Sequence, residues 1–126
     1  MLNKKALIFG ISGQDGKLLT KLLLSKNYEV FGVTRDVSVT SKLFKSLDSE
    51  LSRIELFELS ENEFTKVSNL IKKINPIEIY NLSGVSSVAF SINEPVQTFR
   101  SIVDLNIHIL EELKLLSNIR YFNACS

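Results

Sequence analysis

The sequence reads as an α/β protein, a doubly wound parallel sheet of five strands in the order 3-2-1-4-5. Short apolar runs alternate with helix-length amphipathic segments along the whole chain. A glycine-punctuated turn, Gly10, Gly13 and Gly16 in the pattern G-x-x-G-x-x-G, joins the first such run to a leucine-rich segment. The length of 126 residues, with 44% hydrophobic and 23% charged residues, suits one soluble domain with one core.

Residues 6–9 are too short an apolar run for a helix and read as a buried parallel strand. The glycines follow at once. Strand, glycine turn and helix together form the context in which such a turn binds a dinucleotide, whereas the glycines alone would fit an ordinary loop. The first glycine allows the tight turn and the second lets backbone approach a pyrophosphate. The third lets the helix pack close to the sheet. The unpaired N–H groups at the helix start, at the positive end of its dipole, face the phosphates.

The first helix is expected over 14–26, with Leu18, Leu19, Leu22 and Leu23 as its apolar stripe and Asn27 in the left-handed position that ends it. Strand two spans 29–33. Residues 34–52 are mixed and Ser-rich, with a short helix over 42–47, and strand three covers 54–57. Ser60 and Glu63 form a capping box for a helix carrying Phe64, Val67, Leu70, Ile71 and Ile74, with Pro76 just past its end. Strand four is 77–82. Residues 83–93 read as a loop with room for one short helix. Pro95 opens a long helix whose apolar set is Phe99, Ile102, Val103, Ile107, Leu110 and Leu113, and strand five spans 119–124. The alternation makes the sheet parallel and helix-covered on both faces, a Rossmann-like arrangement. Its ligand sits at the carboxyl ends of strands one and four, where the winding reverses.

Other classes of function find little support. A net charge of +1 provides no electrostatic footprint for nucleic acid or an anionic membrane surface. Lys4-Lys5 precede an apolar run that breaks at Gly10, which is a first strand and not a leader. No run approaches the length of a membrane span. Cys125 is the only cysteine, so no internal disulfide forms and a reducing cytosol fits. With no Cys or His cluster, no metal site is expected. His108 is the only histidine and reads as a residue of a helix's polar face, and Cys125 as a small buried residue.

The filling of the glycine turn is more specific than its spacing. Gly10-Ile11-Ser12-Gly13-Gln14-Asp15-Gly16 resembles the fingerprint of the GDP-mannose 4,6-dehydratases, within the extended short-chain dehydrogenase/reductase (epimerase/dehydratase) superfamily, and the resemblance runs from Lys5 to Ser126. It implies a lyase of nucleotide-sugar metabolism that acts on GDP-mannose. In that family, bound NADP takes a hydride from C4, water leaves across C5–C6, and the hydride returns to C6.

Further positions match residue by residue. Arg35, after Val33-Thr34, falls on the family's Arg for the 2′-phosphate of NADP. Asp36 stands where many members have a second basic residue, and at twenty residues past Gly16 it suits the ribose of NAD by spacing alone. The pair also fits a solvated loop. Glu58-Leu59 resembles the family's Asp-Leu, whose acid faces adenine, although Glu58 equally fits a helix-start carboxylate. Asn81-Leu82-Ser83-Gly84-Val85-Ser86 resembles Asn-Leu-Gly-Ala-x-Ser, with small residues where backbone meets cofactor and Ser86 near the sugar. Asn123-Ala124-Cys125-Ser126 resembles the end of strand five and puts Ser126 on the catalytic Thr/Ser. One departure lies in the long helix: Leu105-Asn106 replaces Gly-Thr, and Leu105 is expected to crowd the helix's approach to the sheet.

The family's catalytic Glu and Y-x-x-x-K pair would lie beyond Ser126. The expectation is therefore an NAD(P)-binding domain over 1–126, without the carboxyl-terminal substrate domain, inactive by itself and homo-oligomeric through its long helix. A free-standing NAD(P)-binding regulatory module, a related nucleotide-sugar epimerase, dehydratase or reductase, and a pairing scaffold are the competing readings.

Overall fold

The computed structural model of the chain describes residues 4–83, 95–116 and 118–124. Among the described residues, four helices and five strands carry the fold: β1 Lys5–Phe9, α1 Gln14–Ser25, β2 Glu29–Thr34, α2 Val37–Leu47, β3 Glu55–Glu58, α3 Val67–Ile74, β4 Glu78–Asn81, α4 Pro95–Leu113 and β5 Arg120–Asn123. The strands form one sheet in the order β3-β2-β1-β4-β5, every neighbouring pair parallel. This is the expected topology, with strand limits displaced by at most one residue.

Side chains alternate across the sheet, as the two-residue repeat of a strand requires. Ala6 and Ile8 of β1 join Val30, Leu23 of α1 and Phe44 of α2 on one face. Leu7 and Phe9 join Phe31, Val33 and Ile79 with Val67 and Ile71 of α3 and Leu105 and Ile109 of α4 on the other. With both faces covered, β1 is buried from Ala6 to Phe9, which is why it reads as an unbroken apolar run.

Several local expectations are corrected. In α1 the buried residues are Gly16, Thr20 and Leu23, whereas Leu18 and Leu22 are exposed. Gly16 sets that face: a Cβ on it would lie 2.7 Å from the Ile11 carbonyl carbon, so the helix touches the turn there. Thr20 is buried at no polar cost because its hydroxyl donates to Gly16 O at 2.6 Å. Helix α2 begins at Val37, five residues before the expected start, because Asp36 caps it: Oδ1 accepts from the Val39 N–H at 3.1 Å. The capping-box residues are joined, with Glu63 accepting from the Ser60 N–H at 3.1 Å, but they open a 3₁₀ segment, Glu61–Lys66, before α3 begins. In α4 the core side is Leu105 and Ile109, while Ile107 and Leu110 are about half exposed. Leu105 is a buried core residue, clustered with Leu7 and Phe9 of β1. The side chains of Phe99 and Ile102, and the loop and short helix expected within 83–93 beyond Ser83, lie outside the described residues.

Asn27 and Asn75 end α1 and α3 at φ 65° and 53°, the left-handed conformation asparagine tolerates. Gly32 in β2 leaves room for a neighbour: a Cβ there would lie 2.8 Å from Ile11 Cγ2.

Candidate functional site

The glycine turn stands at the carboxyl end of β1, between β2 and β4. Gly10 has φ +76°, and a Cβ on it would lie 2.5 Å from Ser83 N, so both backbone conformation and space demand glycine. Its N–H and that of Ile11 donate to Val33 O at 3.1 and 3.3 Å, which ties the turn to β2. The Ile11 side chain is fully buried beneath it. Ser12, Gly13, Gln14 and Asp15 are exposed above it.

Gly13 is the N-cap of α1 and supplies no side-chain cap to the helix. The first N–H groups of a helix have no partner within it, so they are donors aimed outward at the positive end of the dipole. A Cβ on Gly13 would meet nothing nearer than Gly10 O at 3.7 Å. The space beside Gly13 is therefore open, whereas the space beside Gly10 and Gly16 is filled by protein. That difference fits a pyrophosphate lying against backbone at the second glycine.

The position that would read the ribose follows β2. Arg35 is exposed, and the acids around it serve the start of α2. Asp36 caps Val39, and Glu58 Oε1 accepts from the Val37 N–H at 3.1 Å. Leu59 is buried in the core, its N–H donating to Thr34 O at 3.0 Å, so Glu58 projects from a fixed strand end. Asp36 thus has a structural task that its spacing from Gly16 does not reveal.

At the end of β4, Leu82 and Ser83 pass directly under Gly10, the Leu82 N–H donating to Phe9 O at 2.9 Å. The Ser83 N–H donates to Asn81 Oδ1 at 3.1 Å, as does its hydroxyl. Gly84, Ser86, Cys125 and Ser126 lie outside the described residues. The turn, Arg35, Glu58 and Ser83 all stand at the carboxyl ends of their strands. His108 sits away from this group, its Nδ1 2.7 Å from Asp104 O and its ring beside Phe64. Sequence reasoning gave no role to Asn106 and Tyr121, which bond to Asn81; only the pairing of β4 with β5 could have signalled it.

Comparisons with known proteins fit this geometry. The sequence pattern of the family described as GDP-mannose 4,6 dehydratase matches residues 7–126. A GDP-mannose 4,6-dehydratase of Yersinia enterocolitica is 38% identical over 122 residues, which cover 93% of this chain and 31% of that protein. The GDP-mannose 4,6 dehydratase of Drosophila melanogaster is 34% identical over 131 residues, 97% of this chain and 33% of the relative. The chain thus spans about a third of the length of the curated relatives it matches. Among solved structures, the UDP-Glc/GlcNAc 4-epimerase of Campylobacter jejuni superposes with a TM-score of 0.80 at 16% identity, over 96% of this chain and 36% of that one. The Thermus thermophilus UDP-glucose 4-epimerase in complex with NAD gives 0.73 at 17%, over 93% and 36%. At such identities these structures support the fold alone.

Proposed function

The chain belongs to the GDP-mannose 4,6-dehydratase family, and from that premise we propose that it is the NADP-binding portion of an enzyme dehydrating GDP-mannose. The observation that carries the proposal is the open space beside Gly13 at the uncapped start of α1, flanked by Gly10 and Gly16, whose own spaces are closed.

Gly10, Ile11, Ser12, Gly13, Gln14, Asp15 and Gly16 would hold the pyrophosphate, chiefly through backbone N–H groups, which bind anions without a proton to lose. Arg35 would pair with the 2′-phosphate through charge-assisted hydrogen bonds. Glu58 would accept from the adenine amino group while Leu59 anchors the strand end beneath it. Leu82, Ser83, Gly84 and Ser86 would line the path toward the sugar. When bound, the dinucleotide supplies reversible two-electron redox chemistry; the chain's residues bind and orient it. Ser126 would hydrogen-bond the reacting sugar hydroxyl. Association through the outward face of α4, where Ile107 and Leu110 are exposed, would make the protein a homo-oligomer.

Calorimetry tests the reading. The parent should bind NADP more tightly than NAD, and Gly13→Val should abolish both while the unfolding midpoint stays put. Arg35→Ala should weaken NADP about tenfold or more and leave NAD nearly unchanged. Equal binding by parent and Gly13→Val would sink the proposal, and a parent preference for NAD would overturn its NADP part.

A further inference from the structure

Asn81 is the last residue of β4, paired with Phe9 of β1 on one side and Asn123 of β5 on the other. It is 1% exposed. A carboxamide is costly to bury unless its donors and its acceptor are met, and here both are. Its Nδ2 lies 3.4 Å from Asn106 Oδ1 on α4 and 3.3 Å from the Tyr121 hydroxyl on β5. Tyr121 in turn donates to Asn106 Oδ1. A hydroxyl has one proton, so a Tyr121 that gives it to Asn106 offers Asn81 only a lone pair. The Asn81 NH₂ is thereby turned toward α4 and β5, and its oxygen toward Ser83, where it accepts from both N–H and Oγ. Flipping the amide would set NH₂ against the Ser83 N–H, donor against donor. Ser83 N is the atom nearest a Cβ placed on Gly10. The residue packed under the first glycine is therefore bonded directly to a polar hub shared by β4, β5 and α4.

We propose that Asn81, oriented by Asn106 and Tyr121, is a positioning residue that sets the Leu82–Ser83 turn against Gly10 and so governs how tightly the dinucleotide is held. The inference rests on the dinucleotide reading above. Asn106 stands where the resemblance places a Thr in the middle of this helix.

The test measures NADP affinity by calorimetry, unfolding midpoint, and hydrogen exchange at the Ser83 amide in the full chain. Tyr121→Phe and Asn106→Leu should each weaken NADP about tenfold and speed Ser83 exchange. Asn106→Asp keeps the Oδ1 acceptor and should bind within about twofold of the parent. Glu78→Gln, at the opposite end of β4, serves as a destabilised control and should leave affinity unchanged. A parent that binds NADP, with Tyr121→Phe and Asn106→Leu binding equally well, overturns the inference alone, as does loss of binding in the Glu78→Gln control or in Asn106→Asp. A parent that binds neither NADP nor NAD overturns the dinucleotide reading and the inference with it.

Discussion

The two ends of the sheet handle polar groups in opposite ways. At the amino end, Glu78 is 7% exposed and accepts from the Tyr28 hydroxyl at 2.7 Å and the Tyr80 hydroxyl at 2.5 Å. Burial pushes the Glu78 carboxyl up, but the two hydroxyls and the Arg120 and Lys4 cations outweigh it and hold the group below its ordinary value. Tyr80 is pushed up to about 12, first by burial and then by its bond to Glu78. Those groups satisfy one another. At the carboxyl end the α1 donors have no side-chain cap, and Gly13 keeps the space in front of them clear. One end spends its polar groups on holding the fold together, and the other leaves the first backbone donors of α1 without a side-chain partner.

The sharpest way to break that contrast compares two glycines three residues apart. Gly16→Val drives a side chain into the Ile11 backbone and should cost at least about 1–3 kcal/mol, visible as a lowered unfolding midpoint. Gly13→Val should leave the midpoint near the parent's and act on the ligand alone. If both variants lost stability alike, the open space at Gly13 would have no functional meaning.

Next comes the amino end. Glu78→Gln removes the charged acceptor of two hydroxyls and should destabilise by about 1–3 kcal/mol at neutral pH. Because the folded carboxyl is held low, its contribution is complete above about 4.3, the ordinary Glu value, and fades as pH falls through the folded one. The gap between parent and variant in urea midpoints should therefore close in acid. The Tyr80 proton is held tightly in the fold, so that contribution is complete below 10.0 and lost as pH rises to about 12. A gap that ignored pH at both limits would show Glu78 to be merely space-filling.

The smallest effect is expected at the Lys21–Asp48 pair, 3.7 Å apart at the surface. Lys21→Ala should shift stability by no more than about 1 kcal/mol and leave NADP affinity unchanged, as checked by thermal melts and calorimetry.

How much could be read in advance differs by residue. Gly10 and Gly16 were legible because each is demanded by backbone geometry or by one close neighbour, and Gly13 by its spacing between them. Asn27 was legible as a left-handed stop, and the strand order followed from alternation of strands and helices. The core face of α4 was not, because that helix is apolar on two sides. Val103, Ile107 and Leu110 form a genuine helical stripe, but Ile107 and Leu110 look outward. The inward row runs Leu105, Ile109 and then Glu112, a buried carboxylate that accepts from the Ser68 hydroxyl on α3 and disguises the pattern. The start of α2 was hidden in a Ser-rich stretch, although Asp36 with Thr40 and Phe44 at helical spacing would have found it. Asn81 stood in plain view within a resembling motif, but its partners lie 25 and 40 residues away, beyond the reach of any local pattern.

The fit of Ile11 over Gly32 has a consequence for how this site can change over time. Ile11 Cγ2 fills the space a Cβ at position 32 would need, and Gly10 and Ile11 donate to Val33 O next door. The turn that would meet the pyrophosphate and the strand that delivers Arg35 are thus cogged together, tooth into notch. Volume added at position 32 must be removed at position 11, so the two sites should drift as a matched pair. Gly32→Ala would shift the whole turn, and Ile11→Ala beside it, which removes both clashing carbons, would let the gear mesh again.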